Sequence, residues 1–187
     1  MSNSSANHRA KQTIRNLIYS LSVVLGLTIA IVMVVPRDDS NRIQPVDYLS
    51  VALDAQETVG LPILAPSIPA SWWSNGARLE ENLGISTWYV GFVTEDNQYL
   101  GLTQAFESNP SWLASQLGGN YHDGDITIEG RNWEVWPTNQ PTVPKGTKEY
   151  ALVHIYETSA VVIYGTASDA QFRLLATAVS KELNQGG

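Results

Sequence analysis

The residues best able to do chemistry stand together in His122-Asp123-Gly124-Asp125. An imidazole and two carboxylates within four residues suit a hard divalent cation, so His122, Asp123 and Asp125 are candidate metal ligands. The run does not extend into an EF-hand. Counted from Asp125, the position that needs a closing Glu is Trp136. The same residues also suit a polar turn entering a strand at Ile126, with Asp-Gly as the turn dipeptide. No G-x-S-x-G, S-x-x-K, H-E-x-x-H or phosphate-cradling glycine loop occurs, so no nucleophile is framed. His154 alternates with Leu152 and Tyr156 and reads as a packed or edge strand histidine. Glu80 and Glu81 are adjacent, so a strand would send them to opposite faces and not pair them as acid and base.

The six tryptophans are the other conspicuous chemistry. Trp88, Trp112 and Trp133 stand in amphipathic patterns and are expected in the core. Trp72 and Trp73 cannot both face inward on an extended chain, and Trp136 alternates with Trp133. Trp72, Trp73 and Trp136 are therefore candidate binding residues, since exposed aromatics mark interaction surfaces.

Composition limits what such residues can serve. The chain has 187 residues, 11 basic and 18 acidic, for a net charge of −7. With 43% hydrophobic and 16% charged residues it is not disordered as a whole. A pI near 4.8 argues against nucleic acid as a partner, because phosphate neutralisation needs a basic footprint. Without cysteine there is no disulfide, thiolate zinc site, iron–sulfur cluster, thiol nucleophile or lipid-bearing cysteine. No cofactor is expected.

The charge is divided by one apolar run. Leu17–Val35 holds 19 residues and no charge. As a helix it would span about 28 Å, the thickness of a hydrocarbon core. Ser20, Ser22 and Thr28 are tolerable there, because a hydroxyl can bond a carbonyl one turn back. The run exceeds a cleaved leader and ends in Met33-Val34-Val35-Pro36 with no small-x-small site, which reads as an uncleaved signal anchor. Arg9, Lys11 and Arg15 give the preceding tail +3, and the rest of the chain carries −10. The positive-inside rule then holds residues 1–16 in the cytoplasm as a polar, irregular tail. It sends the C-terminal part across the cell membrane, with the bilayer engaged through residues 17–35.

Residues 36–45 read as a polar linker, 46–183 as one extracytoplasmic domain and 184–187 as a tail. Val46, Leu49, Leu53 and Val59 predict a short helix burying those residues. The proline-rich stretch from Leu61 to Pro69 should run extended. Strands are predicted at 77–81, 86–94, 99–106, 126–129, 132–136, 149–157 and 160–167, mostly as hairpins. Asn109-Pro110 should open a short helix ending at Gly118. Ser168 and Gln171 form a capping box before the stripe Phe172, Leu175, Ala176, Val179 and Leu183. The fold class is α+β, with a mostly antiparallel sheet packed by helices.

Several segments carry a resemblance in order. They are P-x-x-W-x-x-x-G-A-R-L at Pro69–Leu79, the run from Trp88 to Thr94, Tyr99-x-x-Leu102-x-Gln104, Gly130-Arg131-x-Trp133-Glu134 and Gly165-Thr166-Ala167. With the N-terminal membrane helix, this pattern resembles an actinobacterial family of small membrane-anchored proteins catalogued as domain of unknown function 4245. The resemblance implies single-pass anchoring and supplies no catalytic residues. Within its motifs Gly130 suits a hairpin turn and Gln104 suits buried backbone groups. Gln104 and Arg131 join the tryptophans as candidate binding residues.

The leading expectation is a non-enzymatic binding module of the cell envelope with an envelope protein as partner. One alternative is a metal-dependent hydrolase using His122, Asp123 and Asp125. The other is a small-molecule or lipid carrier with a pocket between the sheet and the closing helix.

Overall fold

In the computed structural model the described residues are 3–34, 44–138 and 148–186. The chain divides into two units, Met1–Arg42 and Ile43–Gly187.

The first unit is one helix, α1 (Asn3–Val34). Within it Thr13–Ile31 is long and apolar enough to cross a membrane, and none of that window is buried by protein. Thr28 spends its hydroxyl on the carbonyl of Val24 at 2.9 Å, as an apolar surround requires. The helix starts earlier than expected. Residues 3–16 continue it rather than forming an irregular tail. No Gly or Pro interrupts the run from Asn3 to Leu25, and once nucleated a helix adds residues cheaply. Most of the expected linker 36–45 lies outside the described residues.

The second unit is built on a fully antiparallel sheet. Its strands are β1 (Trp73–Asn82), β2 (Ile85–Val93), β3 (Tyr99–Ala105), β4 (Asp125–Ile128), β5 (Arg131–Pro137), β6 (Tyr150–Tyr156) and β7 (Ser159–Gly165), in the spatial order β1-β2-β3-β7-β6-β5-β4. Two meanders thus meet along β3 and β7, where Leu102 pairs with Ile163. Tight turns set the registers. At the β4–β5 turn, Glu129 and Gly130 both have positive φ (49° and 79°), the requirement of the two-residue turn that matches strand twist.

Three helices flank the sheet: α2 (Tyr48–Val59), α3 (Pro110–Leu117) and α4 (Asp169–Gln185). Each starts on a side chain that accepts an otherwise orphaned amide: Asp47 for α2, Asn109 for α3 and Ser168 for α4. The Ser168–Gln171 capping box forms as expected. Alternation along the strands divides the core. Trp88, Val90, Phe92, Leu102, Trp133, Leu152 and Ile163 pack with α2 and α4, together with Phe172, Leu175 and Val179. Ala105, Val153, Ala160 and Val162 face the other way, toward Trp112 and Leu117 of α3. The α+β class holds, with helices on both faces.

One expectation about the core is corrected. α2 does not bury Leu49 and Leu53, which are 50% and 67% exposed. It buries Tyr48, Ala52 and Ala55. Small alanines let the helix approach the sheet, and the Tyr48 ring meets Phe92 edge-on at 5.2 Å.

Candidate functional site

The segment from Leu61 to Pro69 crosses the sheet as a strap, and side chains from four elements hold its backbone. The Leu64 amide donates to Gln104 Oε1 at 2.9 Å, and Gln104 Nε2 donates to the Pro62 carbonyl at 2.9 Å. Trp88 Nε1 donates to the Leu64 carbonyl at 2.8 Å. The Ala65 amide donates to Glu182 Oε1 at 2.9 Å, and the Tyr48 hydroxyl to the Pro66 carbonyl at 2.8 Å. A proline-rich segment cannot satisfy itself in a ladder, so buried side chains take over that role.

Between this strap, the β6–β7 turn and the C-terminal turn of α4 lies a cleft of about 840 Å³. That is within the usual size range of ligand sites. Leu61, Phe106 and Leu183 give it apolar wall, and Arg131, Tyr156 and Glu182 give it polar groups.

Arg131 opens β5, and its guanidinium is aimed by two neutral acceptors. Nε donates to Asn184 Oδ1 at 2.9 Å, and Nη1 lies 3.3 Å from His154 Nε2. His154 Nδ1 is 2.7 Å from the Asn132 carbonyl and must donate to it. Nε2 is then the lone-pair nitrogen that accepts from Arg131. Burial, with the Arg131 charge beside it, pushes the His154 pKa down and keeps that ring neutral. Arg131 has no carboxylate within ion-pair distance among the described residues.

Glu182 faces the same region differently. Among the described residues Oε2 is buried without a partner, and burial raises the pKa of the carboxyl. Sequence reasoning passed over it, although a carboxylate three residues after Val179 on the buried stripe of α4 was the available signal.

Gln104 and Arg131 therefore meet in one cleft, while the tryptophan candidates go elsewhere. Trp72 is buried and donates its indole N–H to the Glu95 carboxylate. Trp73 is half-buried at the start of β1. Trp136 is half-buried against the α3 side and donates to Glu134 at 2.9 Å. The shape of Trp lets its body pack while its N–H finds an acceptor.

The His122 group is brought together only in part. His122 Nε2 meets Asp125 Oδ1 at 3.0 Å, and this bond raises the imidazole pKa. The Asp123 amide is tied to the Val135 carbonyl at 2.8 Å. Among the described residues no three His, Cys, Asp or Glu side chains gather as a ligand set. The segment does not form the expected polar turn: it continues the β4 edge along β5, the Tyr121 amide donating to the Pro137 carbonyl and the Val135 amide to the Gly124 carbonyl, which fixes Asp123 by its backbone.

A second polar cluster occupies the opposite face of the sheet. The Tyr89 and Tyr99 hydroxyls meet at 2.7 Å, and the Tyr164 ring lies over Gly101, where a Cβ would come within 2.7 Å of it. Lys148 places its ammonium 4.0 Å above the Tyr164 ring and donates to Gln116 Oε1 at 2.9 Å. Burial lowers the Lys148 pKa to about 8.

A family model described as "Protein of unknown function (DUF4245)" matches residues 9–179. No curated protein and no solved structure matches the chain.

Proposed function

Given that the chain belongs to the DUF4245 family, whose description carries no activity, we propose that it is a membrane-anchored binding module of the cell envelope. Its ligand or partner engages the cleft beneath the strap. The observation that carries this reading is the convergence of Arg131, Tyr156 and Glu182 with apolar walls in about 840 Å³. Binding rather than turnover is favoured by His154. Both of its ring nitrogens are spent, one on Asn132 and one on Arg131, so it is not available as a base.

The anchor is Thr13–Ile31. Arg9, Lys11 and Arg15 at or before its N-terminal end, with the −10 charge from residue 36 onward, support a cytoplasmic N-terminus and an extracytoplasmic domain. An acidic domain with an aromatic-rich core suits an envelope protein partner or a small molecule, and it does not suit nucleic acid.

The test is purification of the full chain from its native membrane after mild crosslinking, with mass spectrometry of proteins and small molecules retained. A reproducible companion lost on Arg131→Gln supports the reading. A companion retained by that variant and crosslinked outside the cleft overturns it.

A further inference from the structure

The cleft does not end at the strap. Gln56 and Leu61 form part of its wall. Gln56, Leu53 and Leu49 lie at helical spacing on one face of α2, and both leucines are open to solvent. An aliphatic stripe therefore leads away from a cleft that holds an aimed guanidinium. Isolated exposed leucines need no explanation, but a row continuous with a cavity does.

Resting on the cleft reading above, we infer that the ligand is an amphiphile with one acidic head group, its head on Arg131 and its aliphatic chain along Leu61, Leu53 and Leu49. The head is anionic because Arg131 is held by neutral acceptors and, among the described residues, has no carboxylate at ion-pair distance. A planar guanidinium offers a carboxylate or phosphate paired donors. It carries a single charge because Glu107 and Glu157 also line the cleft, beside the β6–β7 turn, and would repel a polyanion. The tail is aliphatic because the walls it meets are Leu61, Phe106 and Leu183 and the stripe beyond is leucine. A chain anchored in a bilayer is also held where amphiphiles are most concentrated.

The experiment uses the full-length protein in phosphatidylcholine nanodiscs with a diazirine-bearing palmitate as probe. Labelled residues are mapped by mass spectrometry. Palmitate, palmitoyl lysophosphatidylglycerol and hexadecanol serve as competitors, and the first two, each with one negative charge, separate a free acid from a lipid head group as the source. Labelling is expected around Leu61 and Leu183. At least one acidic competitor should displace the probe about tenfold better than hexadecanol, the scale of a charge-assisted pair. Arg131→Gln should abolish that preference, and Arg173→Gln, which removes an exposed cation elsewhere on α4, should keep it. Leu53→Glu, at an exposed site that cannot cost the fold, should reduce labelling.

If hexadecanol competes equally well, the acidic head is wrong while the cleft still binds. If no label reaches the cleft, the amphiphile is wrong, and the crosslinking of native membranes judges the cleft on its own.

Discussion

Gln104 on β3 and Leu64 in the strap are joined by a 2.9 Å hydrogen bond across forty residues of sequence. The same side-chain amide returns a hydrogen bond to the carbonyl of Pro62. One glutamine thus supplies the acceptor and the donor that a neighbouring strand would otherwise provide. It fixes the wall of the cleft.

Gln104→Leu should therefore leave the Leu64 amide and the Pro62 carbonyl unsatisfied. A loss of about 1–3 kcal/mol is expected, chiefly from the buried Leu64 amide, since the part-buried Pro62 carbonyl can turn to water. Urea unfolding gives the magnitude. Hydrogen exchange at Leu64 gives the location, and unchanged protection there would refute the assignment.

Glu182 gives a pH dependence of definite sign. Its folded pKa is raised by burial, so the folded state holds the proton more tightly than the unfolded state. Stability from this group is full below the ordinary glutamate pKa and is lost as pH rises through the raised value. Glu182→Gln keeps the acceptor for Ala65 and removes the charge. The variant should match wild type in acid and equal or exceed it at neutral pH. Thermal melts of the pair across the acid-to-neutral range test this, and a wild type that gains on the variant with rising pH would contradict it.

Lys148 behaves oppositely in pH but also strains the fold. Its pKa falls to about 8 from the ordinary 10.5, so the unfolded chain binds the proton more tightly between those values. Stability should rise with pH across that window. Lys148→Met keeps an apolar stem over Tyr164 and should stabilise the domain at neutral pH by about 1 kcal/mol, most of the nominal gain being offset by residual solvation and the lost bond to Gln116. Chemical denaturation at two pH values decides it.

The His122 segment should ignore metal. With only His122 and Asp125 in contact, chelator or added divalent cation should leave the melting temperature unmoved, and Asp123→Asn should behave as wild type. A rise in melting temperature with one cation, abolished by that substitution, would restore a metal site.

Much of this protein is legible in its local residue order. Nineteen uncharged residues after a basic tail specify a helix long and apolar enough to span a membrane. Period-two segments punctuated by turn dipeptides mark the hairpins, and the capping box with its apolar stripe places α4, since these signals act over neighbouring residues. The burial of Trp88, Trp112 and Trp133 is legible for the same reason.

Tertiary contacts settle the rest. The spacing of Leu49 and Leu53 suggests a buried face, yet α2 turns its alanines and Tyr48 to the sheet, because close approach rewards small side chains. The partners of Gln104, Arg131 and Glu182 stand 23 to 117 residues away in sequence. No local pattern records which side chain will satisfy a strap, or that a guanidinium will be aimed by neutral acceptors. Residue order along the chain specifies a long apolar N-terminal helix, a set of elements and most of their core faces. The packing of distant segments makes the cleft, because a site assembled from the strap, β3, β5, β6 and α4 exists only once they share one core.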